Sequence, residues 1–126
     1  MKYAINAPAV PDAEGSYSAG TTAGRLIFTA GQLGLDVHDP GTLVEGGTRA
    51  ELERALQLTS LLLEECDCTL NDIATVTVLL TSLDDLPVVD ECFSRHFAMP
   101  APARSVAEVS RLPKGAHVEL SCVACR

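Results

Sequence analysis

Aromatic residues, long apolar runs and basic residues are all scarce in this sequence. Aromatic residues make up 4% of it and Trp is absent, so any core must be built mainly from Val, Leu, Ala and Ile. No apolar run approaches the roughly 18–20 residues that a membrane-spanning helix needs, and the start of the chain lacks a signal-peptide pattern. We therefore expect a cytoplasmic protein. With 9 basic and 17 acidic residues, the net charge of −8 argues against binding nucleic acid or an anionic membrane.

The length and the order of the predicted elements indicate one α+β domain over residues 1–126. A chain of 126 residues and 47% hydrophobic content is near the commonest size of a single domain. Strand, helix, strand, helix, strand and strand follow one another along the chain. This order predicts two helices on one face of a mixed sheet. A core poor in aromatic side chains would gain further from burying surface in an oligomer.

Five cysteines, an odd number in a chain without an export signal, indicate free thiols. Cys122 and Cys125 have the C-x-x-C spacing that zinc sites and redox pairs use. They fall in or just after the last predicted strand, however, and no second C-x-x-C accompanies them. The pattern favours buried small hydrophobes over a metal or redox function, and no metal is expected.

The first helix is the clearest secondary-structure prediction. Thr48 and Glu51 match a capping box, in which each side chain would satisfy a free N–H group at the helix start. Glu51, Glu53 and Arg54 are then expected on a solvated face without a chemical role. The residues that follow at helical spacing form one apolar stripe, made of Leu52, Ala55, Leu56, Thr59, Leu62, Leu63 and Cys66.

Residues 73–81 predict a central strand, because both of its alternating faces carry apolar or β-branched side chains. The two-sided pattern suggests cover on both faces, one of them by a neighbouring subunit. Asp84 and Asp85 are expected to cap a second helix with Pro87 in its first turn. Along that helix, Val89, Phe93 and Phe97 should pack on the sheet, and His96 is expected to be structural.

The stretch from 101 to 119 carries the best candidates for chemistry. It predicts two short strands separated by a turn at 113–115, with Arg104 opening the first strand and Glu119 inside the second. A guanidinium can hold a carboxylate with two hydrogen bonds, and a second carboxylate can move protons. The alternative is that Arg104 and Glu119 form a simple ion pair or a subunit contact.

The same stretch resembles the signature of a known family. The run P-A-R-S, then E-V, then R-L-P-K-G-x-x-V-E is similar to the signature of the RidA (YjgF) family. Gly15-Ser-Tyr17 and Thr29-Ala-Gly-Gln32 resemble two further motifs of that family, in the same order along the chain. The resemblance implies a chorismate-mutase-like subunit of the bacillus type and a homotrimer with sites between subunits. It also implies hydrolysis of 2-imino acids of the 2-iminobutanoate and 2-iminopropanoate type without a cofactor.

Roles for individual residues follow from this resemblance. Arg104 would bind the substrate carboxylate, helped by backbone N–H groups near Gly31 and Val106. Glu119 would position and deprotonate the water that attacks the imine carbon, and then return a proton to nitrogen. The remaining positions carried over to the substrate site are Tyr17 and Ala30, with Asp90 and Phe93 as further candidates.

Three positions depart from the family pattern. Ala30 stands where the family has serine, Val106 where it has cysteine, and Asp90 where it has asparagine. Imine hydrolysis is still favoured, with a substrate range shifted towards bulkier, apolar imines. Two alternatives are a biosynthetic enzyme acting on another carboxylated or enamine intermediate, and a non-catalytic trimer that binds small carboxylates or partner proteins. The family has also been linked to ribonuclease activity, which the acidic charge of this chain disfavours.

Overall fold

The computed structural model describes all of residues 1–126, which form a six-stranded mixed sheet with two helices. The strands lie in the order β1-β2-β3-β6-β4-β5; β4 and β5 run parallel, and every other neighbouring pair is antiparallel. The predicted α+β class is confirmed. The elements are β1 (Lys2–Ala4), β2 (Gly20–Ala23), β3 (Leu26–Thr29), α1 (Gly47–Glu64), β4 (Ile73–Leu80), α2 (Leu86–His96), β5 (Ala103–Glu108) and β6 (Val118–Cys125).

The core lies between the helices and one face of the sheet. Val76, Val78 and Leu80 of β4 are fully buried in it, as are Val118 and Leu120 of β6. Because side chains alternate along a strand, the residues between them project from the opposite face. That face is not covered by any element of this chain.

The open face explains why the prediction of cover on both sides of β4 holds for only one side within this chain. Thr75 and Thr77 of β4 are exposed there. Nearby on β3, Leu26 and Phe28 are 43% and 37% exposed. An apolar patch in the middle of a sheet is unusual for a chain that works alone.

Helix α1 confirms the predicted apolar stripe but not the predicted capping box. It begins at Gly47, one residue before Thr48, after Gly46 with φ of 121°. Thr48 lies inside the helix, where its hydroxyl donates to Oδ2 of Asp85 (2.6 Å). Glu51 is 1% exposed rather than solvated. The capping box is therefore wrong, because tertiary partners take both side chains.

The partners of Glu51 are in the segment that enters β6. Its Oε1 accepts from the backbone N–H of His117 (2.8 Å), and its Oε2 lies 2.6 Å from Nδ1 of the His117 ring. This contact joins the second turn of α1 to the residue just before β6. A glutamate near the start of a helix can be exposed to solvent or buried, and the sequence pattern does not distinguish the two cases.

Helix α2 begins after Asp85, as predicted, with Pro87 in its first turn. The Asp85 carboxylate does not cap this helix, because it accepts from Thr48 instead. Ser82 caps the preceding short turn, accepting from the N–H of Asp84 (3.2 Å). The prediction of a buried face is confirmed for Val89, Phe93 and Phe97, which are at most 9% exposed.

The N-terminal part contains one strand that the sequence did not reveal. Residues 1–5 predict a short edge strand, which β1 confirms. Strand β2 was not predicted, and it pairs with both β1 and β3. The run from Gly24 to Gln32 predicts a buried strand, but in β3 only Ile27 is fully buried. Neither helix of the structure has the length and apolarity to cross a membrane.

Candidate functional site

A cavity of about 630 Å³ opens where β3 ends beside the start of β6. Four of the predicted site residues line it: Tyr17, Ala30, Gly31 and Glu119. The end of β3 is held against β6 by a two-way backbone pair between Gln32 and Leu120, with N···O distances of 2.6 and 3.0 Å. Residues from two distant parts of the sequence therefore meet around one space.

Glu119 is the central acid of this cavity. It projects from the face of β6 opposite the helices, is half-buried, and makes no hydrogen bond or ion pair with another residue of the chain. Burial raises the pKa of its carboxyl group above the usual range. An unpartnered carboxyl group with a raised pKa is suited to taking up and returning a proton during a reaction.

Gly31 is needed because Glu119 lies directly against it. A Cβ at position 31 would lie 2.5 Å from Oε2 of Glu119, so any side chain would displace the acid. The N–H groups on either side are occupied, that of Ala30 by the carbonyl of Ala19 (2.8 Å) and that of Gln32 by the carbonyl of Leu120 (2.6 Å). The N–H of Gly31 has no acceptor in the chain and remains available to a ligand.

Tyr17 and Ala30 complete the wall on this side. Tyr17 is 59% exposed, and its ring rests against the backbone of Gly15. Ala30 contributes a methyl group and, through its carbonyl, accepts from Nε2 of Gln32 (3.3 Å). Gln32 is 7% exposed and also lines the cavity, although the sequence analysis did not select it.

Lys114 is another lining residue that the sequence analysis did not select. It occupies the turn before β6 with φ of 61°, and its Nζ lies 3.3 Å from Oε2 of Glu14. Both side chains line the cavity. The residue stands inside the R-L-P-K-G motif, where it was interpreted only as part of a turn. The sequence offered one indication that Lys114 lies near the site: it stands five residues before Glu119, in the turn that leads into the same strand.

Arg104 lies elsewhere. It sits in β5, the strand at one edge of the sheet, in register with the helix-facing Val76. Its Nη1 donates to Oδ1 of Asp90 on α2 (2.5 Å), and its guanidinium carbon lies 5.8 Å from the centre of the Phe93 ring. The further candidates Asp90 and Phe93 therefore contact Arg104. Val106 is on the same face, packed against the core.

Within one chain Arg104 and Glu119 do not meet. Arg104 is in register with Val76 of β4, and Glu119 with Leu79 of the same strand. Since β4 lies between them, they are separated by two strand spacings, about 10 Å, and by their positions on opposite faces. The alternative interpretation, an ion pair of Arg104 with Glu119, is wrong within the chain, because Arg104 pairs with Asp90 instead. The predicted residues form two clusters, around Glu119 and around Arg104.

One group of side chains has the composition of a metal site. Ligand atoms of Glu53, Cys92 and His96 lie within 4.8 Å of one another between the two helices. Glu53 is already bonded to His96 (2.6 Å) and to the guanidinium of Arg95. Burial and the nearby Glu53 charge raise the pKa of the Cys92 thiol to about 12, which opposes the thiolate that a metal requires. The group is an ion-pair network in which Arg95 supplies the cation.

The C-x-x-C pair does not form a site either. Cys122 is buried on the helix side of β6, and Cys125 is exposed. Three residues apart on a strand, the two side chains project from opposite faces. They cannot bind one ion together or approach each other as a redox pair.

Comparison with known proteins decides the family. The family model described as Endoribonuclease L-PSP matches residues 7–126. The 2-iminobutanoate/2-iminopropanoate deaminase of Homo sapiens is 33% identical over 124 residues, which cover 98% of this chain and 90% of that protein. This chain belongs to the RidA family. A RutC family protein of Pyrococcus abyssi is 37% identical over 114 residues, covering 90% of this chain and 89% of the relative.

The RidA fold is equally clear from solved structures. RidA from an Antarctic Psychrobacter species superposes with a TM-score of 0.93 at 32% identity, covering 98% of this chain and 99% of that one. The YjgF gene product of E. coli superposes with a TM-score of 0.87 at 28% identity and 98% coverage of both chains. The mixed sheet and its two helices are thus those of RidA structures.

Proposed function

We propose that this RidA family member hydrolyses 2-imino acids of the 2-iminobutanoate and 2-iminopropanoate type to 2-oxo acids and ammonia, in the cytoplasm and without a cofactor. The observation that carries the proposal is the unpartnered carboxyl group of Glu119, with its raised pKa, facing a cavity beside the free N–H of Gly31. Deaminases named for this reaction are 33–34% identical to the chain over almost its whole length.

The chemistry requires one base that later acts as an acid. Glu119 takes a proton from water as the water oxygen bonds to the imine carbon. The same proton is then passed to nitrogen, which becomes the leaving group of a tetrahedral intermediate. As the C–N bond breaks, the hydroxyl proton of this intermediate passes through Glu119 to the departing nitrogen, so that ammonia leaves and the carbonyl group of the 2-oxo acid forms. Gly31 and Tyr17 line the same cavity, and within this proposal the Gly31 N–H and the Tyr17 hydroxyl orient the reacting group.

The substrate carboxylate needs a cation, and within this proposal Arg104 of a neighbouring chain supplies it. Arg104 and Glu119 lie on opposite faces of one sheet, so a single chain cannot present both to a small molecule. A homotrimer with a chorismate-mutase-like arrangement would bring one chain's Arg104 to the next chain's Glu119. The open sheet face around Leu26, Phe28 and Thr77 is the surface we propose to be buried in this assembly.

Mixing two inactive variants tests whether two chains build one site. We expect Arg104→Ala and Glu119→Gln to be inactive separately, and a 1:1 mixture refolded together to regain about a quarter of wild-type activity, because in a closed ring one boundary in four pairs an intact Arg104 with an intact Glu119. Sedimentation should give a trimer for all three samples. A monomer at micromolar concentration, or a mixture of trimers without activity, would contradict the shared site.

The apolar substitutions at positions 30 and 106 shape the proposed substrate range. Ala30 offers a methyl group to the cavity that contains Glu119. Val106 lies near Arg104 and replaces a thiol with a branched alkyl group. Loss of a hydrogen bond to a charged ligand costs about 1.5–3 kcal/mol. We therefore expect slower hydrolysis of small polar imines than of bulkier apolar imines.

A series of imines tests the activity and its range together. An amino-acid oxidase generates imines from alanine through leucine in place, and ammonia release is followed with and without this protein. We expect acceleration above the spontaneous rate, greatest for the leucine-derived imine. If this protein does not accelerate ammonia release but still binds 2-oxobutanoate, deamination is contradicted. A carboxylate-binding protein, or an enzyme that acts on another intermediate, is then favoured.

A further inference from the structure

Arg104, the cation proposed to bind the substrate carboxylate, forms an ion pair with an acidic residue of its own chain. Asp90 of α2 accepts a 2.5 Å hydrogen bond from Nη1 of Arg104, and no other residue forms an ion pair with either. We infer that Asp90 determines specificity by restricting the Arg104 site to ligands with a single negative charge. The inference rests on the proposed role of Arg104 and assigns to Asp90 the preference for monocarboxylic over dicarboxylic imines.

The geometry leaves Arg104 oriented but only partly engaged. Its guanidinium lies over the Phe93 ring, 5.8 Å from the centre, and Nη1 is taken by Asp90. Nη2 and Nε have no acceptor within the chain. A guanidinium offers five N–H donors in a planar fork. The free edge of that fork can still receive one carboxylate.

Although one edge of the Arg104 guanidinium is free, Asp90 weakens the electrostatic attraction of Arg104 for an anionic ligand. Arg104 and Asp90 together carry no net charge, so a carboxylate that binds the free edge also meets the carboxylate of Asp90 a few ångströms away. A ligand with a second negative group meets that repulsion twice, and the Lys114 ammonium in the Glu119 cavity is already paired with Glu14. Asp90 is 58% exposed, and its influence is therefore limited to roughly the 10 Å over which charges act in salt solution.

Other charges on α2 do not compensate for Asp90. The neighbouring Glu91 is bound by Arg49 and by Arg95 (2.8 Å to Nε). Arg95 is shared further with Glu53. These cations are committed to acids on the two helices and are not free to attract a ligand. Asp90 is thus the acid on this helix that acts directly on Arg104.

Asp90→Asn separates charge from geometry. Asparagine has nearly the same shape, and its Oδ1 can still accept from Nη1, so Arg104 should keep its orientation. Removing one charge at about 5 Å in a water-like environment should tighten binding of 2-oxobutanoate about fourfold, and of the dianion 2-oxoglutarate about tenfold. The ratio of the two dissociation constants is the readout, measured by calorimetry at fixed salt.

Glu91→Gln is the matched control, because it removes one negative charge from the adjacent position without touching Arg104. We expect it to change neither dissociation constant by more than about twofold, since screening weakens charges that are not in contact. Asp90→Ala removes both charge and acceptor and should tighten 2-oxoglutarate less than Asp90→Asn does. High salt should shrink all of these differences.

The outcomes separate this inference from the proposed function. Unchanged or weaker binding of both ligands by Asp90→Asn, or a ratio that does not move, overturns the role of Asp90. An equal response to Glu91→Gln overturns it too, because the effect would then be long-range. If Arg104→Ala binds both ligands as well as wild type does, the proposed role of Arg104 fails, and with it both conclusions. Absence of turnover with the expected binding ratios refutes deamination alone.

Discussion

Glu119→Gln should lower kcat for imine hydrolysis by about 10²–10⁴-fold, the usual contribution of a general acid–base group. The substitution keeps the shape of the side chain against Gly31 but removes its ability to take a proton from water. Binding of 2-oxobutanoate should not weaken, because no bond to the ligand carboxylate is assigned to Glu119. Stopped-flow ammonia release and calorimetry measure the two quantities separately.

A second acid elsewhere on the surface provides the control. Glu65 lies exposed just beyond the end of α1, and Glu65→Gln removes the same charge far from the cavity. We expect its kcat to equal that of wild type. A Glu119→Gln variant with unchanged kcat would dismiss Glu119 as the base, and a loss confined to KM would assign it to binding.

The raised pKa of Glu119 also predicts a pH profile. The base is the ionised carboxylate, so kcat should rise with pH as Glu119 loses its proton and then level off. Because burial raises its pKa, the rise should lie above the pH range of an ordinary glutamate. The Glu119→Gln variant should lack this rise. An unchanged profile in that variant would attribute the rise to another group.

Glu51→Ala should destabilise the fold by about 3–6 kcal/mol, because it removes two hydrogen bonds to a charged group, each worth about 1.5–3 kcal/mol. The carboxylate of Glu51 is 1% exposed and bonds both the backbone N–H and the ring of His117. Truncation leaves that N–H without its acceptor. Urea unfolding at one protein concentration measures the change, since the stability of an oligomer depends on concentration.

Glu53→Ala is the matched control for Glu51→Ala. Both are glutamates on α1, two positions apart, but the Glu53 side chain is 33% exposed and its ion pairs lie at the surface. Such pairs contribute about 0–1 kcal/mol, so Glu53→Ala should lose much less stability. Glu51→Gln should fall between the two. Equal losses from Glu51→Ala and Glu53→Ala would contradict a special role for the buried carboxylate.

The connection between Glu51 and His117 also illustrates a limit of sequence patterns. A threonine followed three residues later by glutamate is typical of a capping box, and both residue types occur here at that spacing. In the structure Thr48 bonds Asp85 and Glu51 bonds His117, residues 37 and 66 positions away. The local pattern was present, but more distant partners competed successfully for both side chains.

The helices and the central strands were predictable because their signals are local and repeated. The apolar stripe of α1 and the alternation of β4 each involve several residues that must face one core. Strand β2 was missed because its four residues, Gly20 to Ala23, carry neither a strong alternation nor large apolar side chains. Its pairing with β1 and β3 makes it a strand, and that pairing is tertiary information.

By itself, the sequence determined which residues could do chemistry here: an arginine, a glutamate and a glycine in motifs that resemble those of one family. Only the tertiary structure decided which of them stand together. Strand β4 inserts between β5 and β6, and the alternation of side chains then places Arg104 and Glu119 on opposite faces of the sheet. The same folding brings Asp90 onto Arg104 and leaves Glu119 without a partner. Strand order and register depend on contacts between distant parts of the chain, and no local spacing of residues records them.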